Sequence, residues 1–201
     1  MSAPLPRKAS LPRKTRPASP GGSVTAAAAP DEIASMIRVD HAGEFGALRI
    51  YAGQLAVLGP RGGAGAAAIR KMAEQEQHHF DTFDRMVKER GVRPTALQPL
   101  WHVAGYALGA ATALMGEKAA MACTVAVEDA IDEHYAAQIQ KLQGVPEEAA
   151  LKTTVERFRD DEGEHRKEAL AHGAESAPAY PALSAAIRMG CRLAIHLSER
   201  L

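Results

Sequence analysis

Two Glu-x-x-His motifs, Glu76–His79 and Glu162–His165, carry the strongest chemical signal in the chain. Residues at i and i+3 share one helix face, with Cβ atoms about 5–6 Å apart. A carboxylate and an imidazole so placed can reach one ion. Each motif has a glutamate upstream, Glu44 before the first and Glu128 before the second, at separations of 32 and 34 residues. One Glu from each of two helices and a Glu-x-x-His from each of two others is a set that can hold two iron ions inside a helix bundle. Four carboxylates offset two divalent cations; buried without them, they would be costly. Oxygen-rich ligands with two imidazoles suit Fe or Mn, whereas structural Zn favours four ligands and more thiolate. The expected cofactor is therefore two Fe ions on Glu44, Glu76, His79, Glu128, Glu162 and His165.

Other pairings compete locally. Glu74 and His78 stand at i, i+4, and Asp161 and Glu164 lie close to His165. An internal repeat decides between them. Tyr51 follows Glu44 by seven residues as Tyr135 follows Glu128, and Ala52/Ala136, Gln54/Gln138 and Leu58/Leu142 match at the same offset. Within the second arms only Glu76/His79 and Glu162/His165 coincide as Glu–His pairs. Glu74 and Asp160 also coincide, but on another face, and are expected to be solvated or to sit behind the ligands.

The elements that must position these residues are helices. Aromatics are only 4% of the chain and good helix formers abound, so composition leans all-α. Pro30-Asp31-Glu32 marks a helix start, with acids near the positive end of the dipole. Apolar periodicity then runs to Leu58, and Gly59-Pro60-Arg61-Gly62-Gly63 is a turn. Further helices are expected over Ala64–Arg90, Leu97–Met115, Ala119–Gln143, Glu147–His172 and Ala182–Leu201. Glu44 and Glu76 each lie some 20 Å from the first turn at about 1.5 Å per residue, so an antiparallel hairpin sets them level. Glu128 and Glu162 are level in the same way. The expected architecture is a four-helix bundle with two additional helices, built on a duplicated helical hairpin.

The 201 residues suit one domain, over 31–201, with a sizeable core. Residues 1–30 differ: they are basic, contain no Asp or Glu, and hold six of the twelve prolines. The prolines oppose an amphipathic transit helix, so a disordered basic tail, able to brush anionic lipid, is expected. Twenty-four basic and 24 acidic residues give zero net charge, which points to no nucleic-acid partner. Cys123 and Cys191 have no metal-type spacing and are expected to be small buried hydrophobes. Leu97–Met115 is the most apolar stretch but a weak membrane-spanning candidate, given its Gly and Ala content.

Longer blocks carry a family likeness. Ile37-Arg38-Val39-Asp40-His41-Ala42-Gly43-Glu44, Arg49-Ile50-Tyr51-Ala52-Gly53-Gln54, Ala119 to Glu128, Phe158-Arg159-Asp160-Asp161-Glu162 and Leu197-Ser198-Glu199-Arg200-Leu201 resemble the demethoxyubiquinone hydroxylases of ubiquinone biosynthesis. The likeness spans about Ile33 to Leu201, and all six ligand positions are present. It implies a ferritin-like di-iron monooxygenase, using O2 and two electrons to hydroxylate the ring of a polyprenylated methoxy-benzoquinol. It also implies peripheral attachment to the cytoplasmic side of the inner membrane, or to the mitochondrial inner membrane in a eukaryote. Other ubiquinone-biosynthesis proteins are possible partners. No Gly-rich dinucleotide fingerprint is present, so electrons come from NADH at an unusual site or from a reductase.

Tyr135 is a candidate to donate a hydrogen bond or relay an electron near the site, or else a core Tyr duplicating Tyr51. His134 is a candidate to hold a carboxylate or a substrate oxygen. A bilayer-resident substrate calls for an apolar face near the metal. Leu97–Met115, with Trp101 and Tyr106 as interfacial aromatics, and the last helix, with Arg188, Arg192 and Arg200 for headgroups, are the candidates. The rival functions are a ferritin-type iron-binding protein, a rubrerythrin-like peroxidase, and a membrane-docking scaffold. The first needs a shell assembly and iron far above two per chain. The second usually carries a Cys-rich module, and the third has no use for six polar core residues.

Overall fold

The computed structural model of the protein describes residues 30–201; the basic stretch expected to be a disordered tail lies outside them, save Pro30. Six α-helices follow: α1 Pro30–Leu58, α2 Ala64–Arg90, α3 Gln98–Leu114, α4 Glu117–Leu142, α5 Ala149–Ala171 and α6 Tyr180–Ser198. No strand occurs among the described residues. The chain is all-α, as composition and periodicity predict.

Local signals account for the boundaries. The Gly59–Arg61 3-10 turn and Gly62-Gly63, both glycines at positive φ, reverse the chain between α1 and α2. Gly91 closes α2 in the left-handed conformation, its N–H donating back to Lys88 O. Several ends differ from expectation: α5 begins only at Ala149, after a 3-10 turn over Pro146–Glu148, and α6 ends at Ser198. α4 begins at Glu117, because Gly116 at φ 119° alone makes the break and Glu117-Lys118 are already helical. α6 begins at Tyr180 with Pro181 in its first turn, where a missing N–H costs nothing.

α1 and α2 form one antiparallel hairpin and α4 and α5 the other. α3 lies along α1 as α6 lies along α4, so the repeat extends to three helices per half. The α1–α3 contact is backbone-close: a Cβ at Gly109 would lie 1.9 Å from Ile50 O, and one at Gly53 2.2 Å from Tyr106 O. Three apolar clusters fill the bundle. One surrounds Tyr51, Ile69, Met72 and Met121, a second Ile37, Phe83, Tyr135 and Phe158, and a third Ile50, Cys123, Val127 and Ile187. Cys123 is buried and Cys191 half-buried, both as free thiols.

Candidate metal centre

The bundle brings six of the singled-out side chains to one place between the first two clusters. Glu44, Glu76, His79 and Glu162 offer ligand atoms within 4.8 Å of one another, and so do Glu76, Glu128, Glu162 and His165. All six residues are buried. Glu76 and Glu162 belong to both groups; Glu44 and His79 belong to one, Glu128 and His165 to the other. The arrangement is close to two-fold symmetric, with one shared carboxylate from each hairpin.

Both imidazoles point Nδ1 inward. His79 Nδ1 lies 3.2 Å from Glu162, 3.6 Å from Glu44 and 3.7 Å from Glu76. His165 Nδ1 lies 3.1 Å from Glu162, 3.2 Å from Glu76 and 3.8 Å from Glu128. Their Nε2 atoms point outward, His79 to Asp161 and His165 to Gln75. Phe158 stacks on His79 with centroids 3.9 Å apart and holds that ring in plane.

The tyrosines cross between hairpins. Tyr51 on α1 donates to Glu128 Oε1 on α4 at 3.0 Å, and Tyr135 on α4 donates to Glu44 Oε1 on α1. The two readings of Tyr135 therefore merge: it duplicates Tyr51 and it also touches the site. His134 holds a carboxylate, that of Asp40, at 3.2 Å, and Gln138 donates to the same oxygen at 2.7 Å. Glu74 and Asp160 are exposed, as expected for solvated acids. Asp161 approaches not His165 but His79 of the other hairpin. Asp40, Gln75 and the crosswise role of Tyr51 escaped the sequence reading. The signal for Gln75 was its position, one residue before Glu76 as Asp161 is before Glu162.

Electrostatics show how strained the cluster is by itself. Burial, then the neighbouring Glu76 charge, pushes the Glu44 carboxyl up to about 8. Burial and the Glu76 and Glu128 charges push Glu162 well above the usual range. Glu76 goes down: burial acts upward, but the adjacent imidazoles of His165 and His79 outweigh it. For His165, burial acts downward, yet Glu128, Glu162 and Glu76 raise it to about 12; His79 is raised for the same reason. In the metal-free protein, protons on the two imidazoles and on the raised carboxyls take the part that cations would otherwise play.

The buried polar atoms fit divalent metal. Among the described residues, five oxygens of these four glutamates have no hydrogen-bond partner: Glu44 Oε2, both of Glu76, Glu128 Oε2 and Glu162 Oε1. His79 Nδ1 has none either. Each such orphan costs about 1–3 kcal/mol, and more when charged. Cations at the two four-residue groups would satisfy all of them, and oxygen donors with one imidazole each suit a hard or borderline ion.

An apolar groove of about 570 Å³ lies between α3 and α6. Its floor includes Gly43 and Ala47, either side of Glu44 on α1, and Val127 and Ile131, either side of Glu128 on α4. Trp101 lines one end, where its indole N–H donates to Ser198 Oγ at 3.1 Å.

Comparison with known proteins now decides the lineage. The family model described as "Ubiquinone biosynthesis protein COQ7" matches residues 31–198. The chain belongs to the COQ7 family. It is 57% identical over 165 residues to the 3-demethoxyubiquinol 3-hydroxylase of Rhodospirillum rubrum, covering 82% of this chain and 76% of that protein. It is 54% identical over 168 residues to the mitochondrial NADPH-dependent 3-demethoxyubiquinone 3-hydroxylase of Homo sapiens, covering 83% and 76%. The mitochondrial 5-demethoxyubiquinone hydroxylase of Saccharomyces cerevisiae is 41% identical over 179 residues, covering 83% and 77%. The likeness to the demethoxyubiquinone hydroxylases is thus confirmed over most of this COQ7 chain.

Proposed function

We propose that this protein is a di-iron monooxygenase that hydroxylates the ring of demethoxyubiquinol in ubiquinone biosynthesis. The hydroxylase activity is supported by membership of the COQ7 family and by relatives named for that reaction. The single observation that carries the metal part is the pair of four-residue groups sharing Glu76 and Glu162. Two irons held there would supply the activation of O2, one oxygen atom of which enters the ring. The protein's share is to hold and shield. Tyr51 and Tyr135 fix the unshared carboxylates, Glu128 and Glu44, by hydrogen bonds across the bundle. The surrounding apolar clusters exclude water.

The groove is the site proposed for the quinol. Its lining is almost wholly apolar, and its floor runs alongside Glu44 and Glu128. Gly43, Gly46 and Gly190 leave open space where a Cβ would point. A polyprenyl tail would leave the groove toward lipid. No described helix is long and apolar enough to cross a membrane. Peripheral attachment is therefore the proposal, through Leu100, Val103, Tyr106, Leu114 and Met115 of and after α3 and Met189 and Leu193 of α6, all exposed. Arg188 and Arg192, expected to meet headgroups, pair with Asp129 and Glu133, which tie α6 to α4. The electron donor for this chain is NADPH or NADH, directly or through a reductase; the human relative's name specifies NADPH.

The test is an assay of iron-loaded, reduced protein with a short-chain demethoxyquinol and labelled O2, read by mass spectrometry. One added labelled oxygen, abolished in Glu162→Ala, is the expected result. No added oxygen, with two irons per chain and reduction verified, would move the assignment to a peroxidase or iron-binding protein.

A further inference from the structure

The near-symmetry of the centre fails directly behind the two imidazoles. Nε2 of His79 lies 3.2 Å from Asp161 Oδ2, and Nε2 of His165 lies 3.3 Å from Gln75 Oε1. Asp161 and Gln75 are equivalent positions, each one residue before a shared glutamate, and each reaches the histidine of the opposite hairpin. One position thus holds an anionic acceptor and the other a neutral amide. With Nδ1 of each ring bound to a metal, Nε2 would keep its hydrogen and donate outward. An N–H donated to a carboxylate makes a shorter and stronger bond than one donated to an amide. It also makes the imidazole a stronger ligand. Phe158 adds to the difference, since it stacks on His79 and not on His165.

We propose that Asp161 and Gln75 make the two metal positions inequivalent, the position of Glu44 and His79 being the tighter-binding and more electron-rich. Asp161 and Gln75 are positioning residues that act through the imidazoles. The inference rests on the di-iron proposal, and the experiment separates the two.

The full chain is loaded anaerobically with ferrous 57Fe, its metal content is measured, and its Mössbauer spectrum is recorded. Two irons per chain and two quadrupole doublets of equal area are expected. Asp161→Asn should draw the doublets together and speed release of one iron to a ferrous chelator about tenfold, the lower end of the effect for such partners. Gln75→Glu should draw them together from the other side and slow release of the other iron. A single doublet in the wild type, or two that move in neither variant, would overturn the inference while leaving the di-iron proposal standing. Fewer than two irons in the wild-type chain would overturn both.

Discussion

The phenol of Tyr51 donates to Glu128, a residue of the opposite hairpin, at 3.0 Å. Tyr135 returns the contact to Glu44. Each hairpin therefore orients the unshared carboxylate of the other, and the centre is held by contacts that exist only when both hairpins are docked. Replacing Tyr135 by Phe leaves Glu44 free to turn. We expect turnover to slow while iron content stays at the wild-type level. Turnover unchanged from wild type, measured beside metal analysis, would remove Tyr135 from the mechanism.

Sharing predicts an order among ligand variants. Glu76 and Glu162 belong to both four-residue groups, and Glu44 and Glu128 to one each. Glu162→Ala should lose both irons, whereas Glu44→Ala should retain up to one. Iron per chain after gel filtration distinguishes them, and equal retention in the two variants would contradict the shared-carboxylate geometry.

Metal binding should be linked to pH. Glu44 is raised to about 8 and His165 to about 12, each above its ordinary value. At pH 7 both therefore carry protons in the metal-free protein, which a metal must displace. Ferrous affinity should rise with pH through neutrality and weaken as pH falls below about 8. Calorimetry at pH 7 in buffers of different ionisation enthalpy should show proton release; heats independent of buffer would refute this linkage.

Glycines of two kinds should respond in opposite directions. Gly109→Ala places a Cβ against the Ile50 carbonyl and should cost about 1–3 kcal/mol by overpacking. Gly46→Ala meets nothing within 4 Å and should stabilise the helix by about 0.5–1 kcal/mol. A Cβ at Gly43 likewise meets nothing within 4 Å, and Gly43→Leu should intrude on the groove, so KM for the quinol should rise while urea denaturation shows an intact fold.

Charge on the exposed apolar face should release the protein from lipid. Leu100 and Leu193 are 52% and 57% exposed, so Glu at both should cost little stability. Liposome flotation should nevertheless fall sharply. Flotation equal to wild type would place the membrane contact elsewhere.

The sequence by itself determined the helices, their turns, and the level at which six side chains meet. Those properties depend on local geometry: a 3.6-residue turn puts Glu76 and His79 on one face, and a constant rise sets Glu44 opposite Glu76. Glycine at Gly62, Gly63 and Gly91 marks reversals because positive φ is costly for other residues. Which hairpin supplies each orienting partner was decided only by tertiary structure. Asp161 follows the first helical arm of its own half by many residues and lies near His165 in sequence, yet it meets His79, because the two hairpins face each other and i−1 of one shared glutamate points across the axis. Likewise Tyr135 touches Glu44, and His134 touches Asp40, at separations above ninety residues. The groove between α3 and α6 depends on the angle at which those helices lie on α1 and α4. Spacing along one helix sets its own face; the rotation of one helix against another is set by which side chains interlock, and only the packed bundle contains that information.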